Sequence, residues 1–269
     1  MNDAGTGGRG DAGRRLRRKS SRVTVSARPA VPASFLRILL WDIDGTLIRS
    51  TRAGAFKEYT VPVLEGVFGT AGRLREMTVS GMTDLQIVAE ALQDEGFTRE
   101  QIRERVDNLK TVYMQEMERA TNGDSDFFFL LPGVREVLEA TAGDPRYHNA
   151  LLTGNIEPAA RLKMRLMGLS EFFDSPGAFG DDSHDRSDLP ELAAGRIRAH
   201  LNFDLTAEQF IIIGDTPNDI ACARHFGARA LAVATGRMYS PEELSSCQPD
   251  ALLPDLSDLE LVMRTLAAL

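Results

Sequence analysis

Two aspartates, Asp42 and Asp44, follow the apolar residues 38–41 with one residue between them. A run that is apolar at every position is typical of a strand buried on both faces of a parallel sheet. The carboxyl end of such a strand is where ligands bind in open α/β sheets. Two neighbouring carboxylates repel each other unless a cation or a proton lies between them. The spacing therefore indicates a cation site, with a simple Asp-Gly turn at a strand end as the alternative.

Two further runs rich in apolar residues, 149–152 and 209–213, also end in polar residues. Because the carboxyl ends of parallel strands share one edge of a sheet, we expect the polar residues of all three runs to converge there. They are Asp42, Asp44, Thr153, Asn155, Asp215 and Asp219. Several acids in an all-oxygen donor set favour Mg²⁺, and the sequence has no His and Cys residues at zinc-ligand spacing.

The elements that would position these residues fall into two classes. From residue 132 onward, short apolar runs alternate with segments of helical spacing, which predicts an α/β fold with a doubly wound parallel sheet. Residues 172–179 are a candidate short strand, and Ser187 or Asp188 could cap the helix that begins near residue 189.

Residues 55–131 differ from both flanking parts of the chain. Helical apolar spacing covers 55–67, 83–94 and 98–120, with threonines at the start of the last two segments as candidate N-caps. We therefore predict an inserted all-helical cap domain at 55–131. The core that receives it would consist of residues 35–54 and 132–269.

The composition excludes several classes of protein. The chain has 269 residues, 43% of them hydrophobic and 26% charged, which suits a globular core with a smaller second domain. No stretch approaches the ~20 apolar residues of a membrane helix. The net charge of −8 argues against general nucleic-acid binding by the body of the protein. Two cysteines cannot form a disulfide framework, so we expect a cytoplasmic protein with free thiols.

The first 34 residues have a different character. They contain eight Arg or Lys residues and two Asp residues, with a glycine-rich start. Too few apolar residues are present to form a core, which predicts a disordered basic leader. A nucleic-acid or membrane arm, or a transit-like peptide, are the alternatives.

Three motifs give a more specific interpretation. The segments DIDGT (42–46), LLTGN (151–155) and IGDTPND (213–219) resemble the motifs of the haloacid dehalogenase superfamily of aspartate-nucleophile phosphohydrolases, in the same order and at predicted strand ends. The helical insertion resembles the α-helical cap of that superfamily. The resemblance covers residues 35–269. The type of cap and the TGN form of the second motif are similar to those of phosphoglycolate phosphatase and β-phosphoglucomutase.

The resemblance implies a role for each acid. Asp42 would be the nucleophile that forms an aspartyl-phosphate. Asp44 would act as general acid and then as base, and its backbone carbonyl would contact Mg²⁺. The side chains of Asp42 and Asp215 would bind the metal, and Asp219 would hold metal-bound water. A dehalogenase that attacks carbon does not need the acid at position 44, so phosphoryl transfer is the better interpretation.

The resemblance also implies a phosphate site. The Thr153 hydroxyl and the backbone amides of Gly154 and Asn155 would bind the phosphoryl oxygens at a helix N-terminus. The family usually has a lysine before the last motif, whereas this chain has no lysine after Lys163. Arg186 lies near the expected place and could supply the charge, although an exposed loop arginine is the alternative. Lys163 is a second candidate, which we expect to be a solvated helix lysine instead.

Several other residues have simpler interpretations. Lys57 and Lys110 lie in the predicted cap, where a phosphonate-cleaving relative would need a Schiff-base lysine, and we expect both to serve at the surface. We also expect His184 to face solvent and residues 127–129 to pack in the core of the cap.

Residues at the start of the second predicted cap helix leave two interpretations open. Gly81, Thr83 and Asp84 could reach the site and determine specificity, or they could form only a helix N-terminus with its cap. Asp84 is therefore kept as a candidate substrate-binding residue.

The sequence supports three functional hypotheses. The first is a Mg²⁺-dependent phosphatase that acts on a small phosphorylated metabolite. The second is a phosphomutase of the β-phosphoglucomutase type, which would return the phosphoryl group to a sugar. The third is a non-catalytic binding protein on the same fold. None of them requires a membrane or nucleic-acid partner for the body of the chain, and the oligomeric state is open.

Overall fold

The computed structural model describes residues 32–122 and 125–269. The prediction of a disordered leader falls mainly on residues 1–31, which lie outside these ranges. Within them, no helix is both long enough and apolar enough to cross a membrane.

A parallel sheet forms the centre of the fold. The strands of the described residues are β1 (Arg37–Trp41), β2 (Ile48–Ser50), β3 (Phe128–Leu130), β4 (Tyr147–Leu151), β5 (Phe210–Gly214), β6 (Arg229–Val233) and β7 (Ala251–Leu253). Five of them make one sheet in the order β4-β1-β5-β6-β7, and every neighbouring pair in it is parallel. β1 and β5 are almost wholly apolar and lie at inner positions, as expected of strands covered on both faces.

Helices cover both faces of this sheet. The α-helices are α1 (Ala55–Phe68), α2 (Asp84–Ala91), α3 (Arg99–Glu104), α4 (Val106–Thr121), α5 (Val134–Gly143), α6 (Glu157–Leu166), α7 (Leu189–Leu201), α8 (Pro217–Phe226), α9 (Pro241–Ser246) and α10 (Leu259–Ala268). Leu39 and Trp41 of β1 pack in the core that includes α5, α6 and α10. Ile38 and Leu40 point to the other side and pack with α7 and α8. The predicted doubly wound α/β fold is confirmed.

Helices α1 to α4 form the insertion between β2 and β3. α1 packs against α4, where the rings of Tyr59 and Tyr113 meet edge to face at 5.6 Å. Thr98 and Gln101 form the capping box expected from the sequence. The single helix predicted over 98–120 divides into α3 and α4 at Arg105, whose guanidinium lies over the rings of two phenylalanines.

A short antiparallel ribbon joins the insertion to the sheet. β2 pairs with β3 so that Ile48 is opposite Leu130 and Ser50 is opposite Phe128. Neither strand of this ribbon is predicted from the sequence, because three residues are too few to show strand periodicity. We propose that this ribbon marks the boundary of the cap near residues 55 and 131.

Two local predictions in the core were wrong. Residues 172–179 form no strand, since only an isolated bridge joins Ala178 to Leu152 and Pro176 interrupts the segment. Neither Ser187 nor Asp188 caps α7 with its side chain. Asp185 instead accepts a hydrogen bond from the Ser187 amide and begins a 3₁₀ turn before α7.

Candidate active site

The chain turns sharply after the first aspartate of the site. Asp42 is buried and its amide donates to the Ile213 carbonyl at 3.0 Å, so it continues the pairing of β1 with β5. Gly45 then adopts a φ of +93°, a conformation that side-chain-bearing residues avoid. A Cβ at this position would lie 2.4 Å from an Asp215 carboxylate oxygen. Glycine therefore allows the turn to pack directly on the acid at the end of β5.

Three buried acids meet at this edge of the sheet. Asp42, Asp215 and Asp219 each offer a carboxylate oxygen within 4.8 Å of the others. Burial raises the pKa of Asp42 to about 7 against the opposing charge of Arg186. Burial and the charge of Asp42 raise the pKa of Asp215 well above its usual range. Because the cluster disfavours its own negative charge, its all-oxygen donor set fits a hard divalent cation.

Arg186 lies inside this cluster. Its Nη2 donates to Asp42 Oδ1 at 3.1 Å and to Asp219 Oδ1 at 2.5 Å, and its side chain is buried. The second oxygen of Asp219 accepts hydrogen bonds from the Thr216 amide and hydroxyl at 3.0 and 2.7 Å. Asp219 is thus engaged through both oxygens. The alternative that Arg186 is an exposed loop residue is excluded by its burial.

Lys163 is not the solvated lysine that we expected. It is buried on α6, and its Nζ donates to Asp44 Oδ2 at 2.5 Å and to Asn155 Oδ1 at 2.6 Å. Asn155 Nδ2 also donates to Asp44 Oδ2 at 2.8 Å and to Thr153 Oγ1 at 2.8 Å. The spacing contained a signal for this burial, since Lys163 lies seven residues after buried Ile156 on the same helix face.

The N-terminus of α2 docks on the loop between β4 and α6. The Asp84 amide donates to the Gly154 carbonyl at 2.7 Å, and Asp84 Oδ2 accepts from the Ile156 amide at 2.8 Å. Burial raises the pKa of Asp84 to about 7, although the Ile156 hydrogen bond opposes the rise. Thr83 caps α2 by accepting from the Gln86 amide. Thr83 is therefore a helix cap, whereas Asp84 lines the cavity described below, and its role in specificity stays a prediction.

His184 was predicted to face solvent, and this was wrong. It is buried where the insertion meets the core, and its Nδ1 lies 3.1 Å from the Leu85 carbonyl. The two cap lysines do not line the cavity. Lys57 donates to the backbone carbonyl of Arg75 at 2.7 Å, and Lys110 pairs with Asp181 of the core at 2.5 Å.

A cavity of about 300 Å³ lies between the acidic cluster and the insertion. Its lining includes Asp42, Asp44, Gly81, Gly154, Asn155, Arg186 and Asp215, and an aromatic wall of Phe56, Tyr59, Phe127 and Phe128. Phe127 and Phe128 thus pack in the core, as predicted, and also face the cavity, whereas Phe129 is exposed, so the prediction was wrong for this third phenylalanine. Two further lining residues, Arg49 and Arg237, were not predicted from the sequence, because their isolated positions match none of the three motifs.

Comparison with protein families matches residues 39–224 to the model described as haloacid dehalogenase-like hydrolase. The chain belongs to this family. A second family model, described as HAD-hydrolase-like, matches residues 190–259. Family membership confirms the resemblance carried by the three motifs and the prediction that the chain is a hydrolase.

Individual relatives agree with this assignment. The chain is 26% identical over 231 residues to a phosphoglycolate phosphatase of Pectobacterium atrosepticum, covering 83% of this chain and 91% of the relative. It is 26% identical over 116 residues to the pyrophosphatase PpaX of Bacillus velezensis, covering 42% and 50% of the two chains. The crystal structure of a predicted phosphoglycolate phosphatase from Haemophilus somnus superposes with a TM-score of 0.58 at 19% sequence identity. The superposition covers 85% of this chain and 98% of the other chain, which shows that the two share the fold.

Proposed function

We propose that the protein is a Mg²⁺-dependent phosphatase that hydrolyses a small phosphorylated metabolite through an aspartyl-phosphate on Asp42. One observation carries the proposal: buried Asp42 shares a cluster with two other acids, while Asp44, two residues later, is held by a buried lysine. This arrangement separates a metal-binding nucleophile from a proton-transfer group. The family membership and the phosphatases among the relatives support the same chemistry.

The acidic cluster is the proposed metal site. Asp42 and Asp215 would bind Mg²⁺ through their side chains and Asp44 through its backbone carbonyl, with Asp219 holding a metal-bound water. When bound, the cation neutralises charge on the carboxylates and on the phosphoryl group. Gly45 and Gly236 support this role, because a Cβ at either would lie within 2.4 Å of Asp215 Oδ2 and fill the space beside the acid.

In the proposed first step, Asp42 Oδ2, the oxygen that Arg186 does not hold, attacks phosphorus. The bond from phosphorus to the leaving oxygen breaks, and Asp44 donates its proton to that oxygen. In the second step, water attacks phosphorus and gives its proton to Asp44, and the Asp42–phosphoryl bond breaks to release phosphate. The Asp44 side chain is 46% exposed to the cavity side, which leaves Oδ1 available for these transfers.

The loop after β4 is the proposed phosphoryl site. Thr153 Oγ1 accepts from the side chain and the amide of Asn155, at 2.8 and 3.3 Å. Its single proton therefore remains free to be donated to a phosphoryl oxygen. The amides of Gly154 and Asn155 lie at the N-terminal side of α6, where the helix dipole favours an anion. We assign Arg186 as the replacement for the family's usual lysine, with Lys163 positioning Asp44.

A phosphate-release screen of the full chain tests the proposal. The cavity of about 300 Å³ favours small substrates, so the panel includes phosphoglycolate, pyrophosphate, acetyl phosphate and β-glucose 1-phosphate. We expect release of phosphate with Mg²⁺, loss of activity with EDTA, and loss in Asp42→Asn. Exposed Asp204 provides the matched control, and Asp204→Asn should retain activity.

Two outcomes would contradict the proposal. Robust Mg²⁺-dependent turnover by Asp42→Asn would exclude Asp42 as the nucleophile. Formation of glucose 6-phosphate from β-glucose 1-phosphate, in place of free phosphate, would show a phosphomutase.

A further inference from the structure

We infer that Arg49 and Arg237 form a second anion-binding subsite in the cavity, which takes a carboxylate or phosphate at the end of the substrate remote from the transferred phosphoryl group. This inference rests on the proposed function and adds a substrate class to it: phosphate esters that carry a second anionic group.

The two arginines reach the cavity from separate parts of the chain. Arg49 lies on β2, five residues after Asp44, and is half-buried. Arg237 is exposed and follows Gly236 in the loop after β6. Gly236 itself packs on Asp215, because a Cβ there would lie 2.1 Å from the Asp215 carboxylate. Both arginines therefore line the cavity that also contains Asp42 and Asp215.

Neither of these two guanidinium groups makes a hydrogen bond or a close ion pair in residues 32–122 and 125–269. Arg186, the third arginine of the cavity, by contrast pairs with both Asp42 and Asp219. Two unpaired arginines facing one cavity are the groups that a bound anion would satisfy.

The two charges also act on each other. Burial and the charge of Arg237 lower the pKa of Arg49, and the charge of Asp215 opposes this change. Two like charges repel, and an anion placed between them removes that repulsion. A planar guanidinium offers paired N–H donors that match the oxygens of a carboxylate or a phosphate. The pair is thus suited to an oxyanion and not to a neutral group.

The sheet order separates this pair from the site of the transferred phosphoryl group. Thr153 and Asn155 follow β4, whereas Arg237 follows β6, and the order is β4-β1-β5-β6. The ends of β4 and β6 are three interstrand spacings apart, roughly 14 Å. Arg237 thus begins at the side of the sheet away from Thr153, and we assign the arginine pair to a group of the substrate other than the transferred phosphoryl group.

The test compares matched substrates in three variants. The carboxylate arm compares 3-phosphoglycerate with glycerol 3-phosphate, and the phosphate arm compares fructose 1,6-bisphosphate with fructose 6-phosphate. The readout is the ratio of kcat/KM for the acidic substrate to that for its neutral-tailed partner. Arg49→Gln and Arg237→Gln are the test variants. Arg52→Gln is the control, since exposed Arg52 lies near Arg49 but already pairs with Glu58 at 2.8 Å.

We expect the wild-type ratio to exceed one in at least one arm. It should fall about tenfold in Arg49→Gln and in Arg237→Gln, as for the loss of one charge-assisted hydrogen bond. Arg52→Gln should stay within about twofold of wild type, as expected of an exposed ion pair. The arm that responds identifies the anion as carboxylate or phosphate.

Binding measurements keep the inference testable without turnover. Calorimetric titration of the same substrates into each variant should show weaker binding of the acidic partner only. A wild type that prefers neutral tails in both arms, or ratios and affinities unchanged in both test variants, would overturn the inference. Failure of the wild type to hydrolyse any ester while it binds acidic partners through the arginines would instead refute the proposed function alone.

Discussion

Lys163→Met removes the buried cation beside Asp44, and the structure sets the size of its effect. Lys163 is 1% exposed and donates two hydrogen bonds, to Asp44 and to Asn155. Loss of one partner of a fully buried ion pair costs about 3–5 kcal/mol. Asp44 is 46% exposed, so water compensates part of that loss and about 1–3 kcal/mol of folding stability is the expected cost.

The effect on activity should be larger than the effect on stability. Without Lys163, Asp44 and Asn155 lose the group that fixes them, and through Asn155 the Thr153 hydroxyl loses its orientation. If misplacement raises the barrier by about 3–4 kcal/mol, kcat/KM falls by roughly 100-fold to 1,000-fold. Methionine keeps the length and apolar stem of the side chain, so the change isolates the charge.

The assay is Mg²⁺-dependent release of phosphate, measured together with unfolding in urea. Lys57→Met is the matched control, because half-buried Lys57 does not line the cavity and donates to a backbone carbonyl, and it should behave as wild type. A folded Lys163→Met variant whose kcat/KM stays within about threefold of wild type, well below the change expected for a displaced catalytic group, would refute the positioning role.

Three further predictions concern the same site. Burial raises the pKa of Asp84 to about 7, so the folded state keeps a proton that the unfolded state loses, and stability should fall as pH rises from about 4 to about 7. In urea unfolding, Asp84→Asn should show a weaker decrease of stability over this pH range. An unchanged pH dependence would contradict the raised pKa of Asp84. Gly45→Ala should abolish activity, because the added Cβ would collide with the Asp215 carboxylate. Gly195→Ala is the control, since position 195 has open space around it, and this variant should be active and slightly more stable. An active Gly45→Ala enzyme would contradict the packing argument. Arg186→Ala should lose most phosphatase activity because Asp42 and Asp219 lose their shared partner, and full activity would show that Arg186 does not replace the usual lysine.

Much of the fold could be predicted from the sequence because its elements carry local signals. The apolar runs of β1 and β5 and the capping box at Thr98 depend on residues close together in the chain. β2 could not be predicted in this way. It has three residues, and its partner β3 lies about eighty positions later, so only tertiary pairing defines it.

The candidate site was predictable in outline, because its acids follow strands that share one edge. Its cations were harder to predict. Arg186 is brought inward by the 3₁₀ turn that Asp185 begins, and the sequence suggested a cap two or three residues later. The burial of His184 depends on the docking of α2, which no local pattern encodes. Lys163 had a usable signal in its helix face, which the general rarity of buried lysines outweighed.

The two cations divide the acids into separate groups. Arg186 joins Asp42 to Asp219 inside the acidic cluster, while Lys163 holds Asp44 at the edge of the cavity. A cation at each acid allows Asp42 and Asp44, the proposed nucleophile and proton-transfer group, to lie two residues apart without uncompensated repulsion. This pairing is the physical reason that we propose unequal tasks for the two carboxylates.

The most direct test of the account is to trap the phosphorylated enzyme. The full chain would be mixed with acetyl phosphate and Mg²⁺, quenched in acid within the first turnover, reduced with borohydride and mapped by peptide mass spectrometry. Borohydride converts an aspartyl-phosphate into homoserine and releases the phosphate, so we expect this conversion at Asp42 and at no residue of Asp42→Asn. Turnover without conversion of Asp42, or conversion of any other aspartate, would contradict the aspartyl-phosphate mechanism.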